Sequence, residues 1–312
     1  MAYPTIDKPY GLKPVNAQGG RQYAGSTRMI PIQQGYATNI YNGDVVGLSA
    51  GTAVISPYNL SASANTTAAG GQIVGVFLGC EYSVPGGVIT GKNRFQYYSQ
   101  PQNTSTDIVG YVVDDPLAMF KVAVVNQSQN STSGTFSNTG TTIGYMSPRF
   151  LGTNAYLVAG NGGSTTTGDS LAGVCGLNPT VASSVAGNLP ATAASTNSFA
   201  ANLRVIQLVP DTAVTVATTI TSTSGSGSSF VVASSTGIQP GMQIVLTSAT
   251  GTSAGAPGNT TYVTAVVTST NTVTVSSSVT WTQNQAVAFV GYPEVIVGWN
   301  FGFHAYNIAA GV

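Results

Sequence analysis

His304 is the chain's one histidine, so a Ser/His/Asp or Cys/His site would have to be built on it. It falls in Trp299-Asn300-Phe301-Gly302-Phe303-His304, where Trp299, Phe301 and Phe303 alternate on one face of a strand and His304 takes the other. That pattern points to a solvent-facing or interface histidine. Cys80 and Cys175 lie far apart in apolar, strand-like surroundings, which suits buried free thiols. One histidine and two distant cysteines do not make a zinc site. Asp114-Asp115-Pro116 holds the only adjacent carboxylates. Glycosidase and calcium chemistry need carboxylates converging from separate strands or at loop spacing, so this pair is expected to cap a turn. Gly160 and Gly162-Gly163 lack the strand–loop–helix setting and lysine of a phosphate cradle. The aromatic run 299–306 could stack on sugars, but core packing or a subunit interface fits it better. The reading is therefore of a chain that is not an enzyme, with no catalytic residue, metal ligand or cofactor.

Composition narrows the class further. Charged residues make up 6% of the 312 positions, and nine basic residues cancel nine acidic ones; a typical soluble protein carries about 25%. Surface charge cannot keep such a chain dispersed. Its surface must be wetted by hydroxyls and amides, or covered in an assembly. Beyond Lys121 the only basic residues are Arg149 and Arg204, and no charge lies between Asp211 and Glu294. Without clustered Lys and Arg, nucleic acid is not an expected partner. No run of about 20 apolar residues is present to span a membrane, and the first residues lack the pattern of a secretory signal. Sequons such as Asn65, Asn103 and Asn259 are expected to be products of the Ser/Thr/Asn-rich composition.

The elements expected to position these residues are β-strands. Residues 1–30 read as an extended arm: Pro4, Pro9 and Pro14 are too close for helix between them, and Lys8, Lys13, Arg21 and Arg28 gather there. Such an arm is expected to lie across a neighbouring subunit. Strand signals follow at short spacing. Ile40-Tyr41 enters the turn Asn42-Gly43-Asp44, a strong hairpin signal, and leaves as Val45 to Leu48. Further strands are expected at Ala53 to Ile55, Gln72 to Cys80, Arg94 to Tyr98, Tyr111 to Val113 and Ala118 to Val125. Pro116 to Ala123 could make a turn or two of helix capped by Asp114 or Asp115, although the following Val-Ala-Val-Val favours strand. Residues 126–202 suggest long loops and short strands. Residues 212–290 form an uncharged Thr/Val/Ser-rich module, flanked by strands at Leu203 to Pro210 and Pro293 to Trp299 that are expected to pair. The fold expected is all-β: a β-barrel or sandwich base domain (31–211 plus 291–312), an N-terminal arm (1–30), and a small inserted Ig-like β domain (212–290) facing outward.

The segments Pro4 to Val15, Ala24 to Arg28, Asn42 to Val46, Gly75 to Cys80 and Tyr292 to Val297, in this order, resemble structural proteins of tailed phages of aquatic bacteria, the head decoration (cement) proteins. The module resembles small β domains grafted onto phage virion proteins. The hairpin followed by Ile73 to Val76 is similar, more loosely, to tulip-like head-stabilising proteins. The resemblance implies a virion protein on the outer capsid surface that seals junctions between major capsid subunits. Its expected partners are the major capsid protein and itself, as a trimer. The expected contact residues are Pro9, Tyr10, Leu12, Pro14, Arg21 and Arg28 of the arm, with weak host-surface glycan contact through 212–290. A head-fibre, tail or baseplate adhesion protein is the alternative, although fibres show long repeats and none is found.

Overall fold

The computed structural model describes residues 9–32, 34–48, 55–57, 73–83, 92–99, 107–126, 142–143, 151–158, 163–175, 203–212, 215–246 and 261–300. The protein is all-β, with no α-helix among these residues and only a 3-10 turn at Pro210–Thr212. The expected strand at 301–306 with His304, and most of 126–202, lie outside them.

Two antiparallel sheets build the base. One has seven strands: β1 (Lys13–Ala17), β2 (Arg21–Gln22), β9 (Ala118–Ala123), β12 (Asn154–Val158), β13 (Gly173–Cys175), β14 (Leu203–Val209) and β21 (Glu294–Trp299), in the order β13-β12-β14-β21-β9-β1-β2. The other has β3 (Arg28–Pro31), β4 (Val45–Leu48), β5 (Ile55–Pro57), β6 (Ile73–Ser83) and β8 (Val109–Val113) in the order β3-β8-β6-β4-β5, with β7 (Lys92–Phe95) also on β6. A short pair, β10 (Val125–Asn126) and β11 (Thr142–Ile143), stands apart. Between the two large sheets one core gathers Val45, Val76 and Val113 from the smaller sheet, and Phe120, Leu203, Val205 and Val297 from the larger. The opposite face of the smaller sheet is buried too, under Ile32, Ile40 and Tyr98 with Phe77 and Cys80. That double burial explains why Ile73-Val74-Gly75-Val76-Phe77 is a continuous apolar run rather than an alternating one.

From Pro9 onward, the segment expected to be an arm without a core belongs to this base. β1 pairs with β9 through Lys13↔Lys121 and Ala17↔Ala118, and β3 pairs with β8 through Arg28↔Val112 and Pro31↔Val109. Leu12 is 0% exposed within the inter-sheet core. Pro9 and Pro14 do lie outside helix, and Pro14 is accommodated in β1, whose register shifts between Pro14 and Asn16. Nor does Pro116 start a helix. Asp115 closes a turn, its Oδ1 accepting from the Leu117 amide (2.8 Å) and its carbonyl from the Ala118 amide (3.0 Å), and β9 begins at once. Ala118, Phe120 and Val122 alternate into the core at the period of a strand, and this burial outweighs the Asp-Asp-Pro cap.

Asn42-Gly43-Asp44 does turn the chain, with the Asp44 amide on the Tyr41 carbonyl (3.0 Å) and Gly43 at φ +94°. It is not a hairpin, because its flanks pair elsewhere: Ile40 bridges Tyr98, while β4 lies against β6 and β5.

Residues 215–290 make two three-stranded sheets. β15 (Thr215–Thr219), β20 (Ala286–Val290) and β17 (Gln243–Leu246) run in the order β15-β20-β17; β16 (Gly225–Val231), β19 (Thr272–Trp281) and β18 (Val263–Val267) run as β16-β19-β18. Both sheets bury side chains in one core of Ile220, Phe230, Met242, Ile244, Val273 and Phe289. They also meet along both rims. Ile220 bridges Val232 on one side, and Gln243 bridges Tyr262 on the other, where the Val263 amide donates to the Met242 carbonyl (2.8 Å). Beneath this module β14 and β21 pair from Leu203↔Trp299 to Val209↔Glu294, so the chain enters and leaves at neighbouring positions. Thr212 closes that entrance: its hydroxyl donates to the Val209 carbonyl (2.7 Å) and accepts from the Glu294 amide (2.8 Å).

Candidate functional site

The six expected contact residues separate into two groups. Pro9 and Leu12 are buried, and Pro14 is half-buried in β1. The Tyr10 hydroxyl donates to the carboxylate of Glu294, which is 3% exposed and also paired with Lys121 Nζ at 3.3 Å. Burial, reinforced by this carboxylate, pushes the Tyr10 phenol well above its ordinary range. These four side chains are therefore committed to their own chain in this conformation. Their apolar and aromatic character marked a segment packed into the base just before and within β1. Arg21 and Arg28 remain exposed. They reach the two carboxylates of the β8–β9 turn, Arg28 Nε to Asp114 Oδ2 at 2.6 Å and Arg21 Nη2 to Asp115 Oδ2 at 3.9 Å. Met29, 59% exposed, and the exposed Leu117 belong to the same two segments. A mixed basic, acidic and apolar patch results at the end where the two sheets connect.

A denser polar cluster lies beneath β1. Lys13 Nζ donates to Asn42 Oδ1 (2.5 Å) and Asp169 Oδ1 (2.7 Å). Asn42 is clamped on all sides: its amide donates to the Gly168 carbonyl (2.9 Å), its carbonyl accepts from the Ser170 amide (2.9 Å), and its Nδ2 donates to the Leu78 carbonyl (2.8 Å). Asp44 accepts from the Ser170 hydroxyl (2.5 Å) and the Tyr41 amide (2.8 Å). Burial raises Asp44 to about 6 despite these hydrogen bonds and the Lys13 charge, which all pull the other way. The backbone makes the approach feasible only for glycine. A Cβ on Gly11, at φ +77°, would sit 2.7 Å from the Gly43 carbonyl oxygen, whereas the Leu12 amide donates to that same oxygen at 3.0 Å.

A cleft of about 500 Å3 opens on the smaller sheet, lined by Thr27, Leu78, Cys80, Arg94, Phe95 and Tyr111 among others. Arg94 lies 4.7 Å over the Tyr111 ring, and the Tyr111 hydroxyl donates to Glu81. Burial pushes the Cys80 thiol up to about 12, so it stays protonated and inert as a nucleophile. Cys175 ends β13. Trp299, first of the expected aromatic run, is buried edge-on against Phe120 at 5.4 Å between ring centroids. Among the described residues no three His, Cys, Asp or Glu side chains gather as metal ligands.

Sequence reasoning saw Lys13 as an arm charge and Asn42-Gly43-Asp44 as a turn, and it missed their meeting with Asp169. The available signal was Asp169 itself, a lone acid in a long Gly/Ser/Thr-rich tract that otherwise has no reason to carry one. Comparison of the chain with protein-family models, with curated proteins and with solved structures found no match.

Proposed function

We propose that this protein is a structural virion component that binds the outer surface of a phage capsid, as an oligomer, and stabilises it by bridging major capsid subunits. The observation that carries the reading is the division of labour along the chain. Every charged residue lies outside 212–293, and the described ones cluster on a two-sheet base. The module is covered by hydroxyls, as at Ser226, Ser278 and Thr280, which contact one another on its exposed face. A base with exposed Arg21, Arg28, Met29 and Leu117 at one end suits docking on a protein shell, and an uncharged Ser/Thr-covered module suits display to the medium. The resemblance of separated segments to head decoration proteins supports the same reading.

The test is to mix purified protein with undecorated capsids and follow co-sedimentation and copy number. Saturable binding at shell-like stoichiometry, lost in an Arg21→Glu/Arg28→Glu double variant, is the expected result. Binding only at a dozen copies or fewer per particle would favour a head-fibre, tail or baseplate role. No binding, with a monomer in light scattering, would refute the capsid reading.

A further inference from the structure

The cluster beneath β1 holds the three groups needed for a reaction between side chains. A primary amine, Lys13 Nζ, lies 2.5 Å from the carbonyl oxygen of a carboxamide, Asn42 Oδ1, and 2.7 Å from a carboxylate oxygen, Asp169 Oδ1. The three residues come from separate segments, and backbone bonds fix each: Leu12 to Gly43 (3.0 Å), Asn42 to Gly168 (2.9 Å) and Ser170 to Asn42 (2.9 Å). The Asn42 amide cannot turn away, since its Nδ2 is held by the Leu78 carbonyl at 2.8 Å. Holding reactants so confers effective concentrations on the order of 10^5 M or more. The amine and carboxylate side chains are 30% and 27% exposed, which leaves a path for a small leaving group.

We propose that Lys13 and Asn42 join in an intramolecular isopeptide bond, with Asp169 as the proton carrier, tying β1 covalently to the turn before β4. Asp169 takes a proton from the Lys13 ammonium. The neutral amine then adds to Cγ of Asn42, and the electron pair of the carbonyl moves to its oxygen. When the carbonyl re-forms, the Cγ–Nδ2 bond breaks. The two protons that the lysine nitrogen gives up pass through Asp169 to the departing nitrogen, which leaves as ammonium. Asp169 returns to carboxylate, and nothing is oxidised or reduced.

The experiment is intact-mass measurement of the denatured full chain, followed by trypsin. Lys8 and Lys13 both precede proline and resist cleavage, so a cross-linked chain yields one branched peptide joining the segment that ends at Arg21 to residues 29–92. The expected result is a wild type lighter by one ammonia, with that branched peptide, and full mass in Lys13→Arg and Asp169→Asn. A wild type of full mass overturns the proposal. A loss of ammonia with only linear peptides, retained in Lys13→Arg, also overturns it, because it marks a cyclic imide at Asn42-Gly43. If the variants do not fold, the wild-type mass and peptides decide by themselves.

Discussion

The base and the module solve the same problem, protecting the edges and faces of β-sheets, by opposite means. In the base, charges are spent in pairs at strand ends and turns: Lys92 with Glu81 and Asp107, Lys121 with Glu294, Arg28 with Asp114. Its central strand is shielded on both faces. The module has no charge to place, and neither Lys nor Pro guards its strand edges. It joins its two sheets along both rims instead, which removes much of the unpaired edge that would otherwise template pairing between copies. The lesson is that charge depletion is tolerable in a β domain when the edges are closed on each other.

The two cores provide the strongest way to break this comparison. Phe120→Ala in the base and Phe289→Ala in the module each remove a fully buried ring, at a cost of about 3–5 kcal/mol. In calorimetry each variant should lower its own transition and leave the other in place. Two variants that lower a single shared transition would show that the regions fold as one unit.

Gly43→Ala comes next. Its φ of +94° and the Tyr10 carbonyl oxygen 2.9 Å from the added Cβ should cost the base about 1–3 kcal/mol, read as a lower urea midpoint with the module unaffected. Thr212→Val leaves the buried Glu294 amide without its acceptor, which should cost about 1–3 kcal/mol. Because Thr212 sits at the entrance, proteolysis near 212 should quicken before either core is lost.

Asp44 gives a pH signature specific to the base. Its carboxyl is raised from 3.8 to about 6 by burial, so the folded state binds its proton more tightly than the unfolded chain does. The stability Asp44 contributes is therefore complete below 3.8 and is lost as pH rises through about 6. The stability difference between wild type and Asp44→Asn should grow as pH falls across that window. A difference that is flat with pH would contradict the burial of this group.

The smallest effect is expected at the surface. Arg21→Ala removes an exposed pair at 3.9 Å and should change base stability by less than about 1 kcal/mol. A larger loss of binding in the proposed capsid co-sedimentation, with stability unchanged, would point to the patch as the contact.

The strands were legible where apolar residues ran in short blocks between turn residues. Ile73 to Cys80 and Tyr111 to Val113 read correctly because β-branched and aromatic residues concentrate there. The N-terminal segment misled for a physical reason. Prolines and basic residues signal an exposed chain, yet Leu12 and Ala17 are buried and β1 lies in the sheet between β9 and β2. The Asn-Gly-Asp turn was visible, but its partners were not. Gly168 and Ser170 lie more than a hundred residues away, and local spacing carries no information about such pairings. The Lys13–Asn42–Asp169 cluster was hidden for the same reason.

The adjacency of Val209 and Glu294 as ladder partners has a genetic consequence. A stretch of coding sequence that begins and ends on paired strands can be exchanged for another without shifting the register of either strand. Two recombination points, one on each side, would exchange the module while the two-sheet base is inherited unchanged.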